Sequence, residues 1–253
     1  MAHLATTDFL EQLKAIYLAS RTNQPDEEPE TIQKWYTVAA VAFAASGATD
    51  AVPVVFNYAL DELRHTHDGE ELHAHEYALA SKMRDALLMA CLIYGLPRAI
   101  ESLVALHSIT PEELRSVAII RSVTANIAEL ERIGNQNFRA LYGSSAGSVQ
   151  ELMASAYPDL AWFCATVAYG IASNADVLLP VERLYAIVAA LIATDVPWQT
   201  RWHMSNARNV GAPLEEIKAV REITMKVAER AGVDRKEDVP EVEQEERAHL
   251  ANL

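Results

Sequence analysis

The chain is poor in the residues that build sheets, disulfide scaffolds and phosphate-binding surfaces. Of its 253 residues only 9 are glycine and 10 proline, and aromatics make up 7%. That leaves little material for a turn-rich all-β architecture, so helix is favoured before any pattern is read. The only two cysteines, Cys91 and Cys164, lie far apart inside apolar runs. They exclude a disulfide framework and suit buried thiols in a reducing compartment. Basic residues are also short, 21 against 35 acidic, and the formal charge of −14 repels nucleic-acid phosphates and anionic membrane surfaces. No apolar run approaches the roughly twenty residues a spanning helix needs. The stretch from Met1 to Thr22 has no basic start, and Asp8 and Glu11 argue against a transit peptide. The expectation is a cytoplasmic protein with neither nucleic-acid nor membrane partners.

What is present is apolar helix. Hydrophobic residues account for 51% of the chain, enough for a large core. Phe9, Leu10, Leu13, Ile16, Tyr17 and Leu18 recur at helical spacing and predict a helix over 7–20, followed by an acidic, proline-containing linker from Arg21 to Glu30. Apolar runs at 35–45, 52–63 and 70–94 predict further helices. Gly95 closes one of them and Pro97 opens the next, and Thr110 and Pro111 mark the start of another. From Asp234 the chain is strongly charged and reads as a tail.

The pattern returns after about one hundred residues. The segment from Lys82 to Pro97 lies over Glu182 to Pro197 without a gap, each an apolar helix followed by a turn and a proline. Further on, Thr110-Pro111-Glu112-Glu113-Leu114 lies over Ala212 to Ile217, and Tyr58-Ala59 lies roughly over Tyr169-Gly170. The expected organisation is therefore an N-terminal helix and linker (1–30), a first copy (31–133), a second copy (134–233) and a charged tail (234–253).

Residues 178–232 concentrate the polar chemistry. On the helix expected between Asp195 and Gly211, Gln199, His203 and Asn206 share one face, with Trp198 and Trp202 forming an adjacent aromatic stripe. The run from Pro197 to Ile217, with its His, Asn-x-Gly-Ala turn and Glu-Glu-Ile start, resembles the carboxymuconolactone decarboxylases and their alkylhydroperoxidase D-like relatives. Tyr169-Gly170 and Arg183 fit the same pattern. The resemblance covers most of 150–232 and, more weakly, 35–130.

It implies an all-α fold of two tandem alkylhydroperoxidase D-like units packed as one compact domain and assembled into homo-oligomers. It also implies a cofactor-independent lyase or isomerase acting on a small carbonyl or lactone substrate. In that reading His203 is the proton donor, Arg183 holds a carboxylate, Glu182 orients the imidazole, and Tyr169, Trp198, Gln199, Trp202 and Asn206 surround the substrate. The thiol-peroxidase branch needs a Cys-x-x-Cys pair, and Val196 and Gln199 stand at those positions. A peroxidase-like activity therefore ranks last. In the first copy Leu103 and Arg98 replace His203 and Trp198, so that copy reads as structural.

The rival reading is a non-catalytic helical assembly or binding protein, in which His203 is packed shut. The stretch from His65 to His75 contains four histidines. Residues two apart on a helix point in different directions, so each His-x-His pair is read as part of a solvated helix end, and no metal site is assigned.

Overall fold

The computed structural model describes residues 1–21 and 32–242, and among these residues it contains helices and no strand. The first helix, α1 (Thr7–Arg21), buries Phe9, Leu10, Leu13 and Tyr17, the stripe expected from their spacing. Apart from Arg21, which ends α1, the expected linker lies outside the described residues.

At the centre is α2 (Trp35–Ala45), which is buried at every position, as a helix apolar on all sides must be. It packs against α3 (Val52–Thr66), α4 (Gly69–Tyr94), α9 (Pro180–Ala193) and α11 (Leu214–Arg230). Helix α5 (Leu96–Ile109) folds back on α4, and α10 (Pro197–Asn209) folds back on α9. The turns that allow this are alike. Gly95 has φ 95° and Asp195 has φ 57°, each two residues before the proline of the next helix. Asp195 does not cap α10, whose cap position is Val196.

Helix α1 lies along α11 and is tied to it through the buried Glu216. That carboxylate accepts from Arg21 at 2.8 Å, Lys34 at 3.4 Å and the Tyr185 hydroxyl at 2.9 Å. Phe9 adds an edge contact to Phe43 at 6.3 Å, and the Arg230 guanidinium sits over the Phe9 ring at 4.4 Å.

The expected helix after Pro111 is a single turn, Glu112–Leu114, and no helix follows until α6 (Ile127–Tyr142). The intervening segment is rich in β-branched residues, Val117, Ile119, Ile120, Val123 and Thr124, which lose rotamer freedom in a helix. It is held instead by arginines. Arg115 donates to the Thr110 carbonyl and Arg121 to the carbonyls of Ile171 and Ala172. The division expected between residues 133 and 134 falls within α6.

Beyond α7 (Ala146–Ala156), the short α8 (Pro158–Phe163) runs directly into a π-helical segment, Cys164–Ala172. This segment crosses α6 at backbone distance. A Cβ on Gly134 would lie 1.8 Å from the Ala165 carbonyl oxygen, and one on Gly170 would lie 2.2 Å from that of Leu130. Glycine is needed at both positions for close approach. The described part of the tail is docked: Arg221 donates to the Val239 and Pro240 carbonyls, and Val239 is buried.

Candidate functional site

The residues singled out in the second half divide into two neighbouring groups. The first surrounds His203, which is 7% exposed on α10. Its Nδ1–H donates to the Gln199 carbonyl at 2.8 Å, one turn back, which leaves Nε2 as the acceptor. Burial pushes its pKa down, and no carboxylate contributes to the shift. The imidazole is held neutral rather than charged for proton donation.

Tyr142 of α6 meets the imidazole edge to face at 6.1 Å and stacks on Phe138 at 4.2 Å. The Tyr169 hydroxyl bonds that of Tyr142 at 3.4 Å. Burial pushes both phenols up, Tyr169 the more strongly. Asn206 adjoins Tyr142, and its amide nitrogen is buried without a hydrogen bond of good geometry. Tyr142 and Phe138 escaped the sequence reading, although their spacing of four on an amphipathic helix was a signal for a stacked pair.

The second group lines a cavity of about 370 Å³ between α6, the π segment and the α9–α10 pair. Its polar lining includes Asn137, Tyr169, Ser173, Arg183 and Asn209, and its apolar walls include Leu184 and Ile187. Arg183 is fixed from behind, donating to the Ser173 carbonyl at 2.6 Å and the Leu178 carbonyl at 3.1 Å. Those bonds use two of the five donors on a guanidinium. Tyr169 joins the groups, since it lines the cavity and also bonds Tyr142. His203 is not part of this cavity lining.

The other expected participants lie elsewhere. Glu182 is 3% exposed and accepts from the Leu179 backbone N–H at 2.8 Å and from Lys82 at 2.5 Å. It therefore caps α9 and pairs with α4 instead of orienting the imidazole. Trp198 is 40% exposed and tilts against the buried Trp202 at 6.1 Å, on the outside of α10. Gln199 contributes its carbonyl to His203.

A wider cavity of about 600 Å³ lies on the α4 side, lined in part by Lys82, Arg84, Asp85, Leu88, Ile120 and Arg121. Asp85 faces Arg121 at 2.7 Å; burial raises its pKa while Arg121 and Arg183 oppose the rise. The charged ones were not singled out by the sequence, where Lys82, Arg84 and Asp85 are scattered along an otherwise apolar helix and Arg121 lies in the non-helical segment before α6.

The cysteines are free, and burial pushes both thiols up, away from the thiolate that peroxide chemistry requires. The histidine stretch spans the α3–α4 junction. His65 lies in the last turn of α3, His67 caps it in an extended conformation, and His73 and His75 lie on α4.

Comparison with known proteins changes the functional expectation. No protein-family model matches the chain, and no solved structure matches it. The chain is 29% identical over 205 residues to Peroxisomal protein 2 of Schizosaccharomyces pombe, covering 81% of this chain and 90% of that protein. It is 23% identical over 268 residues to Peroxisomal protein 2 of Saccharomyces cerevisiae, covering 83% of this chain and 93% of that one. These relatives carry a peroxisomal name and nothing of a decarboxylase. The expectations of a carboxymuconolactone decarboxylase-like lyase and of a cytoplasmic location are overturned by these two matches.

Proposed function

We propose that the protein resides in the peroxisome and binds a small carboxylate-bearing organic molecule in the cavity beside Arg183. The peroxisomal name of two relatives aligned over most of their lengths supports the location. The observation that carries the binding reading is Arg183 itself, a guanidinium anchored from behind by two backbone carbonyls at the wall of a cavity of about 370 Å³ with apolar sides. Such a fork matches a carboxylate, and the apolar walls match a short hydrocarbon body. Titration with a panel of short-chain and aromatic carboxylates, read by calorimetry, tests it. Binding weakened about tenfold or more in Arg183→Lys supports the site, since a point charge replaces the fork. Equal affinities would refute it. A fluorescent fusion that fails to overlap a peroxisomal marker would refute the location.

The same reading treats the chain as two tandem helical units, with the carboxymuconolactone decarboxylase-like resemblance concerning their ancestry rather than their reaction. The gapless overlay of 82–97 on 182–197 supports this, as do the left-handed turn residues Gly95 and Asp195, which occupy equivalent positions.

A second reading, self-association, is favoured by the exposed apolar residues recurring every four positions: Leu88 and Leu92 on α4, then Leu96, Ile100 and Val104 on α5. Ile119 and Ile120 extend this surface across the α4-side cavity, which they line together with Leu88. A second copy of the chain is the occupant that the family resemblance implies.

A further inference from the structure

The α3–α4 junction gathers three metal-ligand side chains that sequence spacing did not pair. His67, Glu71 and His75 each offer one ligand atom, and these atoms all lie within 4.8 Å of one another. The geometry avoids the obstacle that applies to His-x-His pairs. Glu71 and His75 are one turn apart on α4, where i and i+4 side chains share a face. His67 reaches them from the extended residue that ends α3, just before the left-handed Gly69 turns the chain into α4.

Three further observations concern the state of these groups. The Thr66 hydroxyl lies within hydrogen-bonding reach of the Glu62 carbonyl at 3.0 Å and the Leu63 carbonyl at 3.2 Å, so its single proton is directed at the backbone. It therefore accepts from His67 Nδ1 at 2.8 Å, which fixes the tautomer and leaves His67 Nε2 with its lone pair. His75 Nε2 is buried without a hydrogen bond, and its nearest charge is the Glu71 carboxylate at 3.5 Å. The two imidazoles meet edge to face with centroids 4.8 Å apart. A buried, unbonded ring nitrogen facing a carboxylate and a second imidazole is a poor arrangement for a solvated helix end and a good one for a shared cation.

We propose that His67, Glu71 and His75 form a binding site for a divalent first-row transition cation of the zinc type, with water completing the coordination. Two imidazole nitrogens and one carboxylate oxygen suit such an ion better than magnesium or calcium, which require mainly oxygen ligands. Zinc–ligand bonds of about 2.0–2.2 Å place tetrahedral donors roughly 3.3–3.5 Å apart. Glu71 and His75 already stand at that separation, so closure falls to His67, which lies outside both helices. The ion would clamp the end of α3 to the start of α4. This site is independent of the Arg183 cavity and of any ligand bound there.

The test uses the tag-free full chain, stripped of metal and titrated with Zn²⁺ by calorimetry and with Co²⁺ by visible absorption. The expected result is one ion per chain with micromolar or tighter affinity. His67→Ala, His75→Ala and Glu71→Gln should each weaken binding about tenfold or more. His65→Ala and His73→Ala, which alter the same stretch outside the triad, should change it less than about twofold. Circular dichroism confirms that each variant stays helical, and Glu71→Gln, exposed and isosteric, provides a second route if a histidine variant fails to fold. A wild-type chain that takes up no Zn²⁺, or triad variants that bind like the wild type, would overturn the proposal.

Discussion

Lys82 and Glu182 pair at 2.5 Å across the α4–α9 contact, one hundred residues apart and at the same position of the two overlaid segments. In the proposed two-unit reading, this is the contact expected beside an axis that exchanges the units. The Glu182 carboxylate is nearly sealed from solvent and also caps α9, so it depends on the ammonium from the other half.

Lys82→Met should therefore destabilise the whole chain rather than one half, by about 3–5 kcal/mol, the cost of a buried carboxylate losing its cation. Chemical denaturation followed by circular dichroism measures it. A midpoint unchanged from the wild type would mean that the pair contributes nothing to joining the halves.

Gly134→Ala should cost roughly 1–3 kcal/mol, because the added methyl meets the Ala165 carbonyl and must push α6 off the π segment. The displacement should also separate Tyr142 from Tyr169, which a near-ultraviolet circular dichroism change would report. Gly147→Ala, on α7 with open space around it, is the control and should be neutral or slightly stabilising.

His203 sets a pH dependence whose sign follows from its burial. Its folded pKa lies below the unfolded value of about 6.5. The stability associated with the neutral ring is complete above the unfolded pKa and is lost as pH falls below it, because the unfolded chain takes the proton first. His203→Gln should flatten that part of the profile relative to the wild type. Identical slopes for the two proteins from pH about 7 to 5 would show that the ring gains its proton equally well in both states.

Arg121 bridges the buried Asp85 and the carbonyls that end the π segment. Arg121→Leu should release the 115–126 segment, detected as faster limited proteolysis there, while leaving Asp85 buried without its cation. Cleavage at the wild-type rate would show that the segment is held by other contacts.

If a second copy covers the apolar residues of α4 and α5, Ile100→Glu should shift the chain to a smaller species in sedimentation, with helicity intact. A wild-type chain that sediments as a monomer would refute self-association directly.

The helices were legible because their signals are local. The apolar run of α2, the Gly95 and Pro97 punctuation and the stripe of α1 each specify an element from adjacent residues. The segment after Pro111 was not, since Thr110 ends α5 and turns its hydroxyl back to the Leu106 carbonyl instead of capping a new helix, and too few helix formers follow. The site was legible only in part. His203, Gln199 and Asn206 do share a helix, yet the partner of Glu182 is Lys82 and that of Arg183 is the backbone at Ser173 and Leu178. Those pairings depend on how helices distant in sequence come together, which periodicity does not encode. The triad at 67, 71 and 75 was hidden for a simpler reason. The spacing rule applied to His-x-His pairs was sound, but the convergent residues lie on either side of a chain reversal.

Asp195 twists its backbone in a sense that a side chain resists by about 1–2 kcal/mol, whereas its counterpart in the first half is a glycine that turns freely. In exchange its carboxylate grips the amide of Lys236 at 3.0 Å, where the last described stretch passes over the turn. The awkward residue thus works as a mooring: a glycine there would relax the bend and let the returning chain drift from the bundle.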